Sequence, residues 1–147
     1  MLEFLKSGRL GELEWGLPME RVKQLLGPPN AYETGLTAKI WVYGSLELMC
    51  YRDQLEGISL HYRRLGRRIK LRLPAALQLD EQGVSASITH DAFLALLHRE
   101  GIPFVETSFG VDDLIRVSSG RAPSAVESWF GSHNGQLRLV SFLREIS

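Results

Sequence analysis

The chain has 147 residues, 44% of them apolar and 23% charged, which fits an ordinary globular protein and excludes a disordered or fibrous one. Seventeen basic residues balance seventeen acidic ones, so the molecule as a whole exerts no general attraction on nucleic acid or anionic lipid. Cys50 is the only cysteine. An internal disulfide is therefore impossible, and a reducing compartment is favoured.

The first residues of the chain lack the features of a secretory signal. Residues 1–6 have no basic start followed by a long apolar run, because Glu3 and Lys6 interrupt it. No segment approaches the roughly 20 consecutive apolar residues that cross a bilayer. We therefore expect a cytoplasmic protein without a membrane partner.

The first half of the chain predicts one helix followed by three strands. Val22, Leu25 and Leu26 lie at helical spacing, and the Gly-Pro-Pro sequence after them ends the helix. Three runs rich in aromatic and aliphatic residues then predict an antiparallel meander, at residues 39–43, 45–52 and 55–62. Both faces of these strands carry apolar side chains, so we expect the second face to be partly covered or used for binding.

A basic run follows the meander and is the sole charge cluster of the sequence. Its six cations are Arg63, Arg64, Arg67, Arg68, Lys70 and Arg72. Alternation with isoleucine and leucine over residues 68–73 predicts a further strand with its cations on one face. Such a face either binds an anionic partner or is a solvated surface whose cations deter edge-to-edge aggregation of strands. The neutral net charge favours the second interpretation.

The second half repeats the pattern of the first. A helix is predicted at residues 90–99, where Phe93, Leu96 and Leu97 match the apolar positions of the first helix with identical spacing. Strands are predicted at residues 104–108, 114–118, 125–130 and 136–144. Asn134-Gly135, before the last strand, is a strong signal for a two-residue hairpin turn.

The repetition predicts an α+β fold built from two tandem helix-plus-antiparallel-sheet units. The first unit covers residues 1–73 and the second covers residues 88–147, with residues 74–87 as a linker. The pattern leaves open whether the units form one continuous sheet, and whether they pack as two domains or as a single one.

Four segments of the first copy carry a family resemblance: WGLPMERV at 15–22, LLGPP at 25–29, WVYGSLEL at 41–48 and LEGI at 55–58. Together they resemble the helix-then-meander unit of the beta-lactamase-inhibitor-protein-like superfamily. The same unit occurs in small cytoplasmic proteins encoded beside bacterial toxins and thought to confer immunity. The resemblance implies a helix packed on an antiparallel sheet, twice over, and action by binding another protein. The disulfides of the secreted inhibitors, and the lipidated cysteine of an outer-membrane assembly relative, have no counterpart in a chain whose only cysteine is Cys50.

A search for reactive or metal-binding constellations yields little. The four histidines have no close ligand pairing, so neither a metal site nor a cofactor is expected. Cys50 and His61 fall on neighbouring predicted strands, where an activated thiolate could form, but a packed and inert cysteine is favoured. The pairs Asp80-Glu81 and Asp112-Asp113 occupy turn-like contexts. We predict no catalytic residue and no enzymatic activity.

Aromatic and basic residues are the remaining candidates for binding, because aromatic side chains anchor many protein interfaces. The predicted partner-binding residues are Trp41, Tyr43, Tyr51, Tyr62, Arg64, Arg67, Arg68, Phe109 and Trp129. The leading hypothesis is a non-enzymatic bacterial immunity protein that binds and neutralises a cognate toxin. The alternative is a nucleic-acid-associated regulatory protein that uses residues 63–72, and a homodimer stays open.

Overall fold

The computed structural model describes residues 1–34, 38–64, 67–68, 70–110, 114–122, 125–133 and 136–145. Of residues 63, 64, 67, 68, 133, 136–138 and 140–145 it describes the backbone alone. Helices and antiparallel strands occur together in these ranges, so the predicted α+β class is confirmed. None of the helices in the described ranges has both the length and the apolar character that a bilayer crossing requires.

The α-helices are α1 (Leu2–Ser7), α2 (Met19–Leu26) and α3 (His90–Arg99). α2 and α3 confirm the two helices predicted from apolar spacing. The side chain of Thr89 caps α3, because its Oγ1 accepts a hydrogen bond from the Ala92 N–H at 3.2 Å. α1 is missing from the sequence-based prediction, since six residues are too few to display a helical period.

The strands are β1 (Ala31–Thr34), β2 (Lys39–Tyr43), β3 (Leu46–Tyr51), β4 (Gln54–His61), β5 (Arg63–Arg64), β6 (Arg67–Arg68), β7 (Phe104–Phe109), β8 (Leu114–Ser119), β9 (Val126–His133) and β10 (Gln136–Glu145). β5 and β6 form a small hairpin of their own. The other strands form an eight-stranded antiparallel sheet in the order β1-β2-β3-β4-β10-β9-β8-β7. Two four-stranded meanders therefore meet at the centre of the sheet, where β4 pairs with β10.

Alternation along the strands gives the sheet two different faces. On one face Phe130 is fully buried and contacts Phe93 of α3, with ring centroids 5.2 Å apart. Its neighbour in β9, Trp129, lies on the opposite face. We call this opposite side the helix-free face, because the described helices pack on the other side.

The segment predicted as a linker takes part in the core. Leu77 lies in a single turn of 3-10 helix (Ala75–Leu77) and is buried, as are Val84 and Ala86. One hydrophobic cluster contains these side chains together with residues of both meanders and all three helices. Residues 74–87 are therefore packed against the two halves that they connect.

The strand predicted at residues 68–73 is wrong. β6 ends at Arg68, and residues 70–74 form no strand. The backbone of Arg72 instead forms hydrogen bonds with Ser45, in the turn between β2 and β3. The Arg72 N–H donates to Ser45 Oγ at 2.9 Å, and the Arg72 C=O accepts from the Ser45 N–H at 2.8 Å. The predicted Asn134-Gly135 turn lies outside the described residues.

We predict that Gly44→Ala destabilises the protein by about 2–4 kcal/mol, because it combines backbone strain with overpacking. Gly44 has φ of +65°, and an added Cβ would lie 2.6 Å from the Arg72 carbonyl oxygen. The control is Gly16→Ala, where φ is +80° but nothing lies within 4 Å of the new Cβ. It should cost about 1 kcal/mol. Equal losses for both variants in urea denaturation would show that Arg72 does not constrain this turn.

Candidate functional site

Two of the predicted binding residues meet on the helix-free face. Phe109 closes β7, and Trp129 lies two strands away on β9. Their rings stack with centroids 5.5 Å apart and an interplanar angle of 24°. The strand between them supplies Arg116, which pairs with Trp129 across β8 and β9. Strand register therefore brings together residues that are far apart in the sequence.

Arg116 ties this group together. Its guanidinium carbon lies 5.5 Å from the Phe109 ring centroid and 5.8 Å from that of Trp129. Its Nη1 donates to Glu127 Oε1 at 3.1 Å, while its Nε is buried without a hydrogen-bond acceptor among the described residues. We call Phe109, Arg116, Glu127 and Trp129 the Arg116 cluster. The sequence did not single out Arg116 or Glu127, because only the register of three strands brings them beside the rings.

The cluster is accessible along its outer side. Phe109 is 37% exposed, and Val105, on the same face of β7, is 68% exposed. Arg116, Glu127 and Trp129 are each partly buried. A stacked aromatic pair with a paired arginine thus borders solvent at this end of the sheet.

Tyr43 and Tyr62 are wrong as surface anchors, because both belong to the core. Tyr43 is 4% exposed, and its hydroxyl donates to the Gly27 carbonyl at 2.9 Å. Burial, reinforced by Tyr32, raises the pKa of Tyr43 to about 12. Tyr62 is 1% exposed, and burial also raises its pKa. Neither ring can contact a partner unless the protein opens.

Trp41 and Tyr51 lie apart from the Arg116 cluster. Trp41 is partly buried on the helix side, where it pairs with Leu48 across the β2–β3 ladder and meets Tyr32 edge-to-face at 5.5 Å. Tyr51 ends β3 with the Arg52 guanidinium 5.1 Å from its ring centroid. Tyr32 is 60% exposed and was missed because the four residues of β1 are too few to show a strand pattern.

The predicted arginines lie in the β5–β6 hairpin. Arg63 is opposite Arg68, and Arg64 is opposite Arg67. The backbone thus gathers four cations in one short hairpin, while their side chains lie outside the described part of the structure.

Cys50 and His61 do not approach one another, which removes the less favoured of the two interpretations of this cysteine. Cys50 is paired with Leu55 at one end of the β3–β4 hairpin, and His61 lies six residues further along β4, about 20 Å away. The His61 ring faces Glu47 Oε2 at 3.2 Å and Ser59 Oγ at 3.1 Å, and both contacts involve the same Nε2. A nucleophile relay needs both ring nitrogens, so this trio does not form one.

The other candidate groups give no reactive centre in the described ranges. His90 Nε2 contacts Glu106 Oε2 at 2.5 Å, and His98 packs edge-to-face on Phe104. No group of three histidine, cysteine or acidic residues among the described positions could hold a metal ion. Asp80 caps an exposed turn by accepting from the Gln82 N–H at 3.0 Å. Asp112-Asp113 lies outside the described residues.

Comparison with known proteins gives no family. No protein-family model and no curated protein matches the chain. The chain is similar to an extracellular SCP-domain protein from Bacillus anthracis, with a TM-score of 0.48 and 9% sequence identity. The match covers 90% of this chain and 44% of that protein. Function must therefore be argued from the surface of this molecule.

We predict that Cys50 resists alkylation in the native protein. Burial raises the pKa of its thiol, which lowers the thiolate fraction at neutral pH, and the side chain is 5% exposed. Iodoacetamide at pH 7 should label it at least about a hundredfold more slowly than an exposed cysteine. Ser132→Cys in a Cys50→Ala background, at an exposed position of β9, supplies that reference rate. Equal rates would contradict the packed, inert assignment.

Proposed function

We propose that this protein is a non-enzymatic binding module that recognises another protein through the Arg116 cluster. The observation that carries the proposal is the stacked pair of Phe109 and Trp129, with one guanidinium lying against both rings on the helix-free face. Tryptophan and arginine are the residue types that contribute most to interface energies when they are rigid and become desolvated. Here the rings and the arginine are already held by one another and by Glu127.

The preorganisation of the cluster reduces the entropic cost of binding. An arginine that had to be ordered at an interface would lose about 0.5–1.5 kcal/mol of side-chain freedom. Arg116 is held before any partner arrives, because its Nη1 is paired with Glu127 and its plane rests near two rings. The exposed edge of Phe109 and the neighbouring Val105 supply apolar area that a partner can bury.

We further propose that the protein is a cytoplasmic bacterial immunity protein that covers the active site of a cognate toxin. The support is the resemblance of about residues 13–62 to the beta-lactamase-inhibitor-protein-like unit. The recurrence of a helix followed by four sheet strands in each half supports a tandem duplication within one domain. A formal net charge of zero favours a target without the strongly basic surface typical of a nuclease.

We predict that Trp129→Ala and Phe109→Ala each weaken binding to the protein encoded beside this gene by at least about 30-fold, or 2 kcal/mol. Each change removes one of the two rings that lie against the Arg116 guanidinium. Isothermal titration calorimetry measures the affinities, and circular dichroism checks that the variants fold.

Tyr32→Ala is the matched control, because Tyr32 is an exposed aromatic residue on an edge strand at the opposite end of the sheet. It should leave the affinity unchanged. A complex that forms equally well with all three variants would rule out the Arg116 cluster as the contact surface. Absence of any complex with the neighbouring gene product would rule out the immunity role.

A second candidate function is nucleic-acid binding by residues 63–72. Two arginine pairs face each other across the β5–β6 hairpin, and like charges directly opposite one another destabilise an antiparallel pair. A polyanion would relieve that repulsion. This feature supports the alternative, but the zero net charge offers little long-range attraction to nucleic acid.

A gel shift with duplex DNA and single-stranded RNA separates the two functions. We expect no retained shift at physiological salt, because non-specific phosphate contacts from one hairpin are largely screened there. A shift that persists in Phe109→Ala but disappears in the Arg64→Ala/Arg67→Ala double variant would favour the nucleic-acid function over protein binding.

A further inference from the structure

Within the described ranges, β7 is an edge strand of the sheet and lacks the usual protection against pairing with another strand. It runs for six residues, Phe104–Phe109, and pairs with β8 at every position without a bulge. Its only charged residue, Glu106, belongs to the helix side, where its carboxylate contacts His90. Natural edge strands are commonly guarded by lysine, proline within the strand or bulges. β7 instead exposes Val105 and Phe109 on the helix-free face.

The hydrogen-bond pattern indicates which backbone groups of β7 point away from the sheet. The Gly120 N–H donates to the Pro103 carbonyl at 2.9 Å, so the 103–120 pair is of the hydrogen-bonded kind. Hydrogen-bonded pairs alternate with non-bonded pairs in an antiparallel ladder. Positions 105, 107 and 109 therefore bond to β8, and the N–H and C=O groups of Phe104, Glu106 and Ser108 are directed outward along the edge.

We propose that β7 pairs antiparallel with β7 of a second copy of this chain, about a two-fold axis at Thr107. In this arrangement the helices of both copies lie on the same side of the joined sheet. Residues that pair across the axis must therefore lie on the same face of the sheet. A register centred on Thr107 meets this condition: Thr107 faces Thr107, and Val105 faces Phe109 of the second copy. Glu106 and Ser108 form the hydrogen-bonded pairs with the outward backbone groups.

The proposed register is chemically self-complementary. Val105 and Phe109, the two apolar side chains on the exposed edge, lie four residues apart in β7. A two-fold axis midway between them places Val105 of each copy beside Phe109 of the other copy. Aromatic–β-branched and threonine–threonine pairs are favourable across an antiparallel ladder. Glu106 lies opposite Ser108, so no like charges are opposed. These features favour a second copy of this chain over an unrelated extended peptide.

The pairing would bury an apolar side chain that is largely exposed in the monomer. Val105 is 68% exposed, and in the dimer it would lie against the Phe109 ring that stacks on Trp129. One sheet would run through both copies, with an Arg116 cluster on each side of the axis. A single strand pair is at the small end of specific interfaces, so the dimer should be weak and concentration-dependent.

Cysteine cross-linking tests the register directly. Thr107→Cys in a Cys50→Ala background places two thiols at a non-hydrogen-bonded pair on the axis, with Cα atoms about 4.5 Å apart, which suits a disulfide. Val105→Cys in the same background is the control, because its two copies lie about 14 Å apart along the strands. We expect a covalent dimer under mild oxidation for Thr107→Cys only. Equal cross-linking of both variants, or of neither, would overturn the register.

Sedimentation equilibrium tests the edge itself without cysteines. Val105→Lys should raise the dimer dissociation constant at least about tenfold, because it replaces buried apolar area with a cation. The control is Glu33→Lys on β1, the opposite edge of the sheet, which should leave the constant unchanged. A wild-type protein that stays monomeric at every concentration overturns the proposal. So does a dimer that Val105→Lys leaves intact, or a wild-type protein that grows into larger polymers.

Discussion

The pairing of β4 with β10 is the interaction on which the rest of the molecule depends. Each meander ends in one of these strands, and five consecutive residue pairs, from Ser141–His61 to Glu145–Gly57, join them at the centre of the sheet. Without this ladder each half would be a four-stranded sheet with one more unpaired edge and a smaller core. With it, the helices of both halves pack on one surface and share a hydrophobic cluster. The opposite surface of the sheet is the helix-free face, which carries the alternate side chains of the strands.

The division between the two faces links the fold to the proposed binding function. In β9 the fully buried Phe130 packs under α3, while Trp129 beside it turns to the helix-free face. Neighbouring residues of one strand can therefore serve different roles, with Phe130 in the core and Trp129 on the proposed binding surface. The Arg116 cluster needs β7, β8 and β9 in register, and these strands are aligned against β10. The central ladder thus determines the geometry of a surface two to three strands away.

Much of the fold could be predicted from local patterns, whereas the contacts of the site could not. Apolar spacing and flanking caps or breakers located α2 and α3, and runs of aliphatic and aromatic residues located most of the sheet strands. Aromatic rings can anchor interfaces, which makes Trp129 a candidate from the sequence alone, but its contact with Phe109 depends on register across three strands. The same limitation left the approach of Cys50 to His61 open, since assignment to neighbouring strands does not give the position of each residue along its strand. Tyr43 and Tyr62 could not be assigned to the core from the sequence, because the predicted strands around them carry apolar residues on both faces. The local pattern then does not show which face is covered.

The three tryptophans of the chain allow the most direct test of the claim that the helix-free face binds the partner. In a ¹H–¹⁵N correlation spectrum each indole N–H gives its own signal: Trp129 reports the Arg116 cluster, Trp41 the helix side near β1, and Trp15 an exposed position before α2. Titration with the protein encoded beside this gene should shift or broaden the Trp129 signal and leave the other two in place. A complex that forms while the Trp129 signal stays unchanged would contradict the account.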